Sequence, residues 1–152
     1  ARSRTRLRHF GFVFQDGQLL PELTNLDNVA LPAMLNGLGR RAARAKALSL
    51  LDQLGLGDLA DRRPAQVSGG QAQRVNIARA LMDEPNLLLA DEPTSALDSH
   101  LSQEIIRLLR DITQEMHTAT VLVTHDRSLL TFADHVVEVK DGRVSTQDAI
   151  GA

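Results

Sequence analysis

The chain has 152 residues, 43% of them hydrophobic, and a formal net charge of −2. That suits one domain with a real core and carries no whole-chain signature of polyanion binding. Four Phe without Trp or Tyr leave aliphatic packing and few rings for stacking on bases. The lack of Cys excludes disulfides and thiolate metal sites and fits a reducing compartment.

The first residues carry Arg2, Arg4, Arg6 and Arg8, read as a solvated helix end or frayed terminus rather than a nucleic-acid arm. No apolar run is long enough to cross a bilayer, and no apolar h-region follows the basic start. Service at a membrane would therefore go through another subunit.

His9 to Phe14 reads as a strand leading into Gln15, followed by a loop over 16–23. Thr24 with Asp27 makes a capping box that opens a helix to about Leu35, with Pro32 expected to bend it. A second helix over 40–54 places Ala43, Ala47, Leu50, Leu51 and Leu54 at helical spacing, and Gly55 and Gly57 close it. Ser68 and Gln71 form another capping box, opening a helix to about Met82 with Val75, Ile77, Ala78 and Leu81 on its apolar stripe.

Leu87 to Ala90 is a short continuous apolar strand, expected to be covered on both faces. Asp98 or Ser99 caps a helix to about Met116. Its inward residues are Leu101, Ile105, Leu108, Leu109, Ile112 and Met116. Thr120 to Val123 is expected to be a further buried strand, 127–133 a short helix, and 136–144 a hairpin about Asp141-Gly142. Alternating strands and helices argue for an α/β fold with a mainly parallel sheet. Residues 24–67 form a small helical lobe between strands.

Four places carry chemistry. The first N–H groups of a helix lack internal partners and point beyond its end, where the macrodipole adds positive charge. Gly69 and Gly70 have no Cβ to keep an anion away, and Ser68 adds a hydroxyl. Read alone, this is equally a capped helix with a glycine turn.

Asp91 and Glu92 end the Leu-rich strand, at the edge where open α/β sheets bind ligands. Neighbours on a strand face opposite ways, so Asp91 can hold Mg²⁺ while Glu92 orients and deprotonates an attacking water. His125 follows its own apolar strand and can bond a γ-phosphate and hold Glu92 in register. Gln15 follows a strand too, and its amide can touch Mg²⁺ or the water. Asp98, taken alone, is an N-cap. His9, His100, His117 and His135 show no ligand spacing. The set reads as machinery for nucleoside triphosphate hydrolysis. No Gly-x-x-x-x-Gly-Lys-Ser/Thr loop occurs in the 152 residues.

The order Phe12-Val13-Phe14-Gln15, Val67-Ser68-Gly69-Gly70-Gln71, Leu87 to Thr94, Ser95-Ala96-Leu97-Asp98 and Val123-Thr124-His125-Asp126 resembles the ATP-binding-cassette (ABC) ATPases over about residues 7–144. The resemblance implies a P-loop NTPase-like α/β fold. Residues 1–23 and 68–152 would be a RecA-like core, and 24–67 an inserted helical subdomain. It implies ATP and Mg²⁺ as cofactors.

By the same resemblance Gln15 is the Q-loop glutamine, linking the nucleotide site to a transmembrane partner. Ser68, Gly69, Gly70 and Gln71 form the signature that meets ATP held by the opposite subunit. Asp91 and Glu92 are the Walker B aspartate and catalytic glutamate, and His125 is the switch histidine. Asp98 closes the D-loop, which crosses the dimer interface. Residues 18–32 resemble the branch serving lipoprotein release, macrolide or peptide export, and division-site complexes.

Val67 stands where the family usually has leucine, a small apolar change. The family's adenine-stacking subdomain and phosphate loop have no counterpart in the sequence, so the chain reads as truncated, its phosphate-loop strand absent and Leu and Val surface uncovered.

The function implied is the ATP-hydrolysing subunit of an ABC transporter. It would work as a head-to-tail homodimer on a membrane permease, peripheral on the cytoplasmic face, without nucleic acid. The alternatives are a soluble chromosome- or ribosome-type ABC ATPase, or a non-catalytic regulatory remnant. Against the chromosome type stands the interval between Gln15 and Ser68, which carries no heptads.

Overall fold

Phe10–Phe14 (β1), Leu87–Asp91 (β2) and Ala119–Val123 (β3) form a parallel sheet in the order β1-β2-β3. The fold is that of a computed structural model, which describes residues 9–16 and 18–148. The arginines of residues 1–8 lie outside the described residues. Each strand returns to the same sheet through helices: Asn25–Leu35 (α1), Arg40–Gln53 (α2) and Gly69–Leu81 (α3) after β1, and Ser99–Glu115 (α4) after β2. His135–Lys140 (β4) and Arg143–Asp148 (β5) pair separately as an antiparallel hairpin. Its turn has positive φ at both Asp141 and Gly142, the geometry that suits the twist of a two-residue hairpin loop.

The Ser68–Gln71 box forms as the sequence implies, but at Thr24 only the cap half does, the Asp27 carboxylate meeting Thr24 Oγ1 and Arg44 instead of the Thr24 N–H. Thr24 Oγ1 accepts from Asp27 N at 3.1 Å. Asp98, rather than Ser99, caps α4, its Oδ1 accepting from Leu101 N at 3.0 Å. Pro32 does not end α1, which runs to Leu35. The proline removes one backbone donor, but Val29, Ala30 and Ala33 around it are buried, where α1 packs on α2 and α3. Segment 58–67 is more ordered than a connector, with short 3₁₀ turns at Gly57–Leu59 and Pro64–Gln66. The expected helix after His125 is likewise 3₁₀, over Arg127–Phe132.

One continuous buried cluster joins Val13 and Leu88 of the sheet, Val29 of α1, Leu51 of α2, Ile77 of α3 and Ile105 of α4. Val75, Ile77, Ala78, Leu81 and Met82 are all fully buried, and each large one contributes about 1.5–3 kcal/mol by leaving water. On α4, Ile106 is buried as well, while Leu101, Leu108 and Met116 are only partly buried against the cluster.

The sheet corrects the expectation of strands covered on both faces. Gly11, Val13, Leu88 and Ala90 lie inside. Gly11 passes so close to α3 that a Cβ there would sit 2.4 Å from the Ala80 carbonyl oxygen, which is why this strand interior tolerates glycine. The opposite face carries Phe10, Phe12 and Phe14 in register with Leu87, Leu89 and Asp91 and with Ala119, Val121 and Val123. That face is open: Val121 is 48% and Val123 54% exposed. Burial of β3 fails on both sides: Val121 and Val123 lie on the open face, and Thr120, in register with Leu88 on the helix side, is exposed at the edge of the three-stranded sheet.

Candidate active site

Register decides the site. Phe14, Asp91 and Val123 are aligned neighbours across the three strands, so all three strands reach the same carboxyl edge. Gln15, Asp91-Glu92 and Thr124-His125 emerge there together. This is the edge at which parallel α/β sheets bind ligands.

Glu92 turns away from the strand path. Its φ of 44° lies in the left-handed region, uncommon for a non-glycine residue and costing about 1 kcal/mol or more. Its N–H donates to Val123 O at 2.9 Å, and Ser95 N–H and Oγ–H donate to Glu92 O at 3.3 and 3.1 Å. The turn brings Glu92 Oε1 to 2.5 Å from His125 Nδ1 and lets it accept from His125 N at 3.0 Å.

An ionised carboxylate only accepts hydrogen bonds. With Glu92 ionised, Nδ1 carries the hydrogen. Nε2 then accepts from water in the neutral ring and donates to a phosphate oxygen only when the ring is doubly protonated. The Glu92 side chain is 23% exposed and that of His125 83%, so the carboxylate is sheltered and the imidazole reaches outward. Beside them, two Ser128 hydrogen bonds hold the Asp126 carboxyl below its ordinary pKa, with His125 adding to the effect.

The second part of the site is the mouth of α3. Ser68 Oγ accepts from Gln71 N at 3.2 Å, and Ser68 N donates to Gln71 Oε1 at 2.9 Å. This reciprocal box ties down one backbone donor of the first turn and leaves the remainder facing outward. The two glycines differ. A Cβ on Gly70 would lie 2.8 Å from Leu101 Cδ2, whereas one on Gly69 would meet only Leu97 Cδ2 at an ordinary 3.5 Å. Packing inside the chain thus accounts for Gly70 but not for Gly69, which is exposed.

Gln15 and Gly69 line one cleft of about 370 Å³ with Gln73, Pro93, Ala96 and Leu97. The structure thus pairs Glu92 with His125, sets Gln15 beside the helix mouth, and uses Asp98 as the cap of α4. Among the described residues no hydrogen bond joins the Ser68–Gln71 mouth to Glu92 or His125. No group of three or more His, Cys, Asp or Glu that could hold a metal is present among them either. The hard oxygens of Asp91 and Gln15 still suit Mg²⁺, which takes few protein ligands and completes its shell with water and phosphate.

Sequence reasoning overlooked a buried polar row on α3. Gln73 is 5% exposed and Asn76 fully buried. Arg79 follows on the same stripe, and burial lowers its pKa. The signal was available, since these polar residues recur every third position beside the apolar stripe.

The ABC transporter family model matches residues 1–95. This chain belongs to the ABC transporter ATPase family. It is 50% identical over 139 residues to the macrolide export ATP-binding/permease protein MacB 1 of Yersinia pestis bv. Antiqua (strain Antiqua). That alignment covers 91% of this chain and 21% of the relative. It is 46% identical to MacB of Shewanella sp. (strain W3-18-1), over 96% of this chain and 22% of the relative. The expected branch is borne out as macrolide-export-like.

The chain spans about a fifth of the length of these curated relatives. Among solved structures, the dimeric bacterial ABC transporter cassette MJ0796 superposes with a TM-score of 0.84 at 39% identity, covering 99% of this chain and 67% of the cassette. The same cassette is also known as a dimer in a post-hydrolysis state bound to ADP and Pi, with equal similarity. The fold is accordingly P-loop NTPase-like α/β. Among the described residues, no helix is long and apolar enough to cross a membrane.

Proposed function

We propose that this chain is the greater part of the ATP-hydrolysing domain of an ABC exporter, coupling hydrolysis in a head-to-tail dimer to a membrane permease at the cytoplasmic face. The observation that carries the reading is the Glu92–His125 pair at the carboxyl edge of the sheet, next to Asp91. The dimeric cassettes and the ATP-binding/permease relatives support pairing and a membrane partner. Residues 24–67 serve as the helical subdomain, and 1–23 with 68–152 as the core.

Each residue has one task. Asp91 and Gln15 hold Mg²⁺, which when bound neutralises phosphate charge. Glu92 takes the proton of the attacking water as general base. His125 orients Glu92 through Nδ1 and, when the ring is doubly protonated, donates from Nε2 to a γ-phosphate oxygen. Ser68, Gly69, Gly70 and Gln71 supply backbone and side-chain donors to the triphosphate of the opposite subunit. Gln71 does so from its amide nitrogen, since its carboxamide oxygen is engaged by Ser68 N–H. Asp98 fixes the start of α4 so that residues 95–98 can meet the second subunit.

Glu92→Gln keeps the shape and removes the base. In the complete protein it should lower ATP turnover by about a hundredfold or more and trap an ATP-bound dimer on gel filtration. Turnover at the wild-type level would reject Glu92 as the base.

A further inference from the structure

The loop carrying Gln15 is fastened on both sides, and the fastening comes from α3. Phe14 O, immediately before Gln15, accepts from Gln73 Nε2 at 3.4 Å and from Asn76 Nδ2 at 3.3 Å. Asn76 Nδ2 also donates to Gln73 Oε1 at 3.4 Å, and Asn76 Oδ1 accepts from Arg79 Nη2 at 2.9 Å. Arg79 Nη1 then donates to Gln18 O at 2.9 Å, beyond Gln15.

Further along, fully buried Asn28 accepts from Leu20 N at 2.8 Å and donates to Leu20 O and Thr24 O, both at 3.0 Å. Gln15 and Asp16 stand exposed between these fixed points. Nothing in the packing of a strand end requires its neighbours to be joined into one polar row. Buried amides that share partners also move together, because breaking any one bond strands a polar group.

We infer that Gln73, Asn76 and Arg79 are positioning residues that make the Gln15 loop and the Ser68–Gly69 mouth one mechanical unit. An α-helix is a rigid rod with a rise of about 1.5 Å per residue. A shift of α3 driven by phosphate at its N-terminus therefore carries Phe14 O and Gln18 O, and with them Gln15. Ligand at the mouth contributed to one subunit's nucleotide is thereby reported to the Gln15 of the other nucleotide site. This rests on the proposed roles of Ser68–Gln71 and Gln15.

The test is a double-mutant cycle in the complete protein, with ATP turnover as readout and thermal unfolding as the control for folding. Gln15→Ala should lower kcat. Asn76→Leu keeps the number and branching of side-chain heavy atoms but removes both donors and the Arg79 acceptor. It should lower kcat about tenfold with KM for ATP within about twofold, as expected for an effect confined to the transition state.

In the Gln15→Ala background Asn76→Leu should cost nothing further, because it acts through Gln15. Losses that multiply would overturn the inference and leave the proposed function standing, as would an unaltered kcat for Asn76→Leu alone. An unaltered kcat for Gln15→Ala would overturn the proposed role of Gln15 and the inference with it. Should Asn76→Leu not fold, Arg79→Gln enters the same cycle with the same expectations.

Discussion

At the scale of single residues, two carboxylates show opposite uses of environment. Glu92 is held in a left-handed turn so that one oxygen can meet both the ring and the backbone of His125. Backbone strain at that point is sustained by what the turn positions. Asp83 has no such task. Burial raises its pKa, Glu84 adds to the rise, and the Asn36 hydrogen bond and Lys46 oppose it. The folded chain therefore holds this proton to higher pH than the unfolded chain does. The stability it contributes is fully present below the ordinary aspartate range and is lost as pH rises through the raised value.

Asp83→Asn keeps an acceptor for Asn36 Nδ2 and removes the ionisation. It should raise the unfolding temperature at about pH 7 and change it little at about pH 3, below the ordinary aspartate value. A stabilisation that grows toward acid would contradict the burial argument. Asp126, whose pKa is lowered, acts with the opposite sign: its contribution is present above the ordinary aspartate range and is lost as pH falls.

At the scale of elements, α3 has three jobs along its length. Its first turn offers donors, its apolar stripe seals the core, and its polar row grips the loop after β1. The two glycines of the first turn separate the first job from the second. Gly70→Ala forces a Cβ against Leu101 and should cost about 1–3 kcal/mol by overpacking, visible as a lower midpoint in denaturant. Gly69→Ala meets no close atom in the chain. It should leave that midpoint within about 0.5 kcal/mol, as most surface changes do, yet weaken ATP-driven dimer formation. A Gly69→Ala variant that dimerises with ATP as the wild type does would show that the mouth does not face phosphate.

The helices and their ends were legible in the sequence because caps are local. Thr24, Ser68 and Asp98 each bond a backbone N–H three residues on, and such contacts depend on nothing distant. The polar row of Gln73, Asn76 and Arg79 was not read, because its partners Phe14 O and Gln18 O lie far off in the chain and only folding brings them near.

At the scale of the whole molecule, one face of the parallel sheet stays open, with Phe10, Phe14, Val121 and Val123 at its surface. Patches of this kind on a stable protein mark contact surfaces, and β3 is a strand at the border of that sheet. The isolated 152-residue chain should self-associate, bind ATP weakly and hydrolyse almost none, since its 152 residues contain no phosphate-loop sequence. Sedimentation and a magnesium-dependent turnover assay check this together. A monodisperse chain with measurable turnover would contradict it.

The sequence by itself determined the family, the helix starts and the chemistry available at Gln15, Ser68, Asp91, Glu92 and His125, because motif order and capping are properties of short stretches. It could not say which strand face would be covered, since Leu87 to Ala90 is apolar on both sides and carries no alternation to break the tie. Tertiary structure decided that by placing α3 and α4 on the Val13–Leu88 side. It alone brought Glu92 to His125 and α3 to the Gln15 loop, because strand register and helix docking are set by contacts between residues distant in the chain.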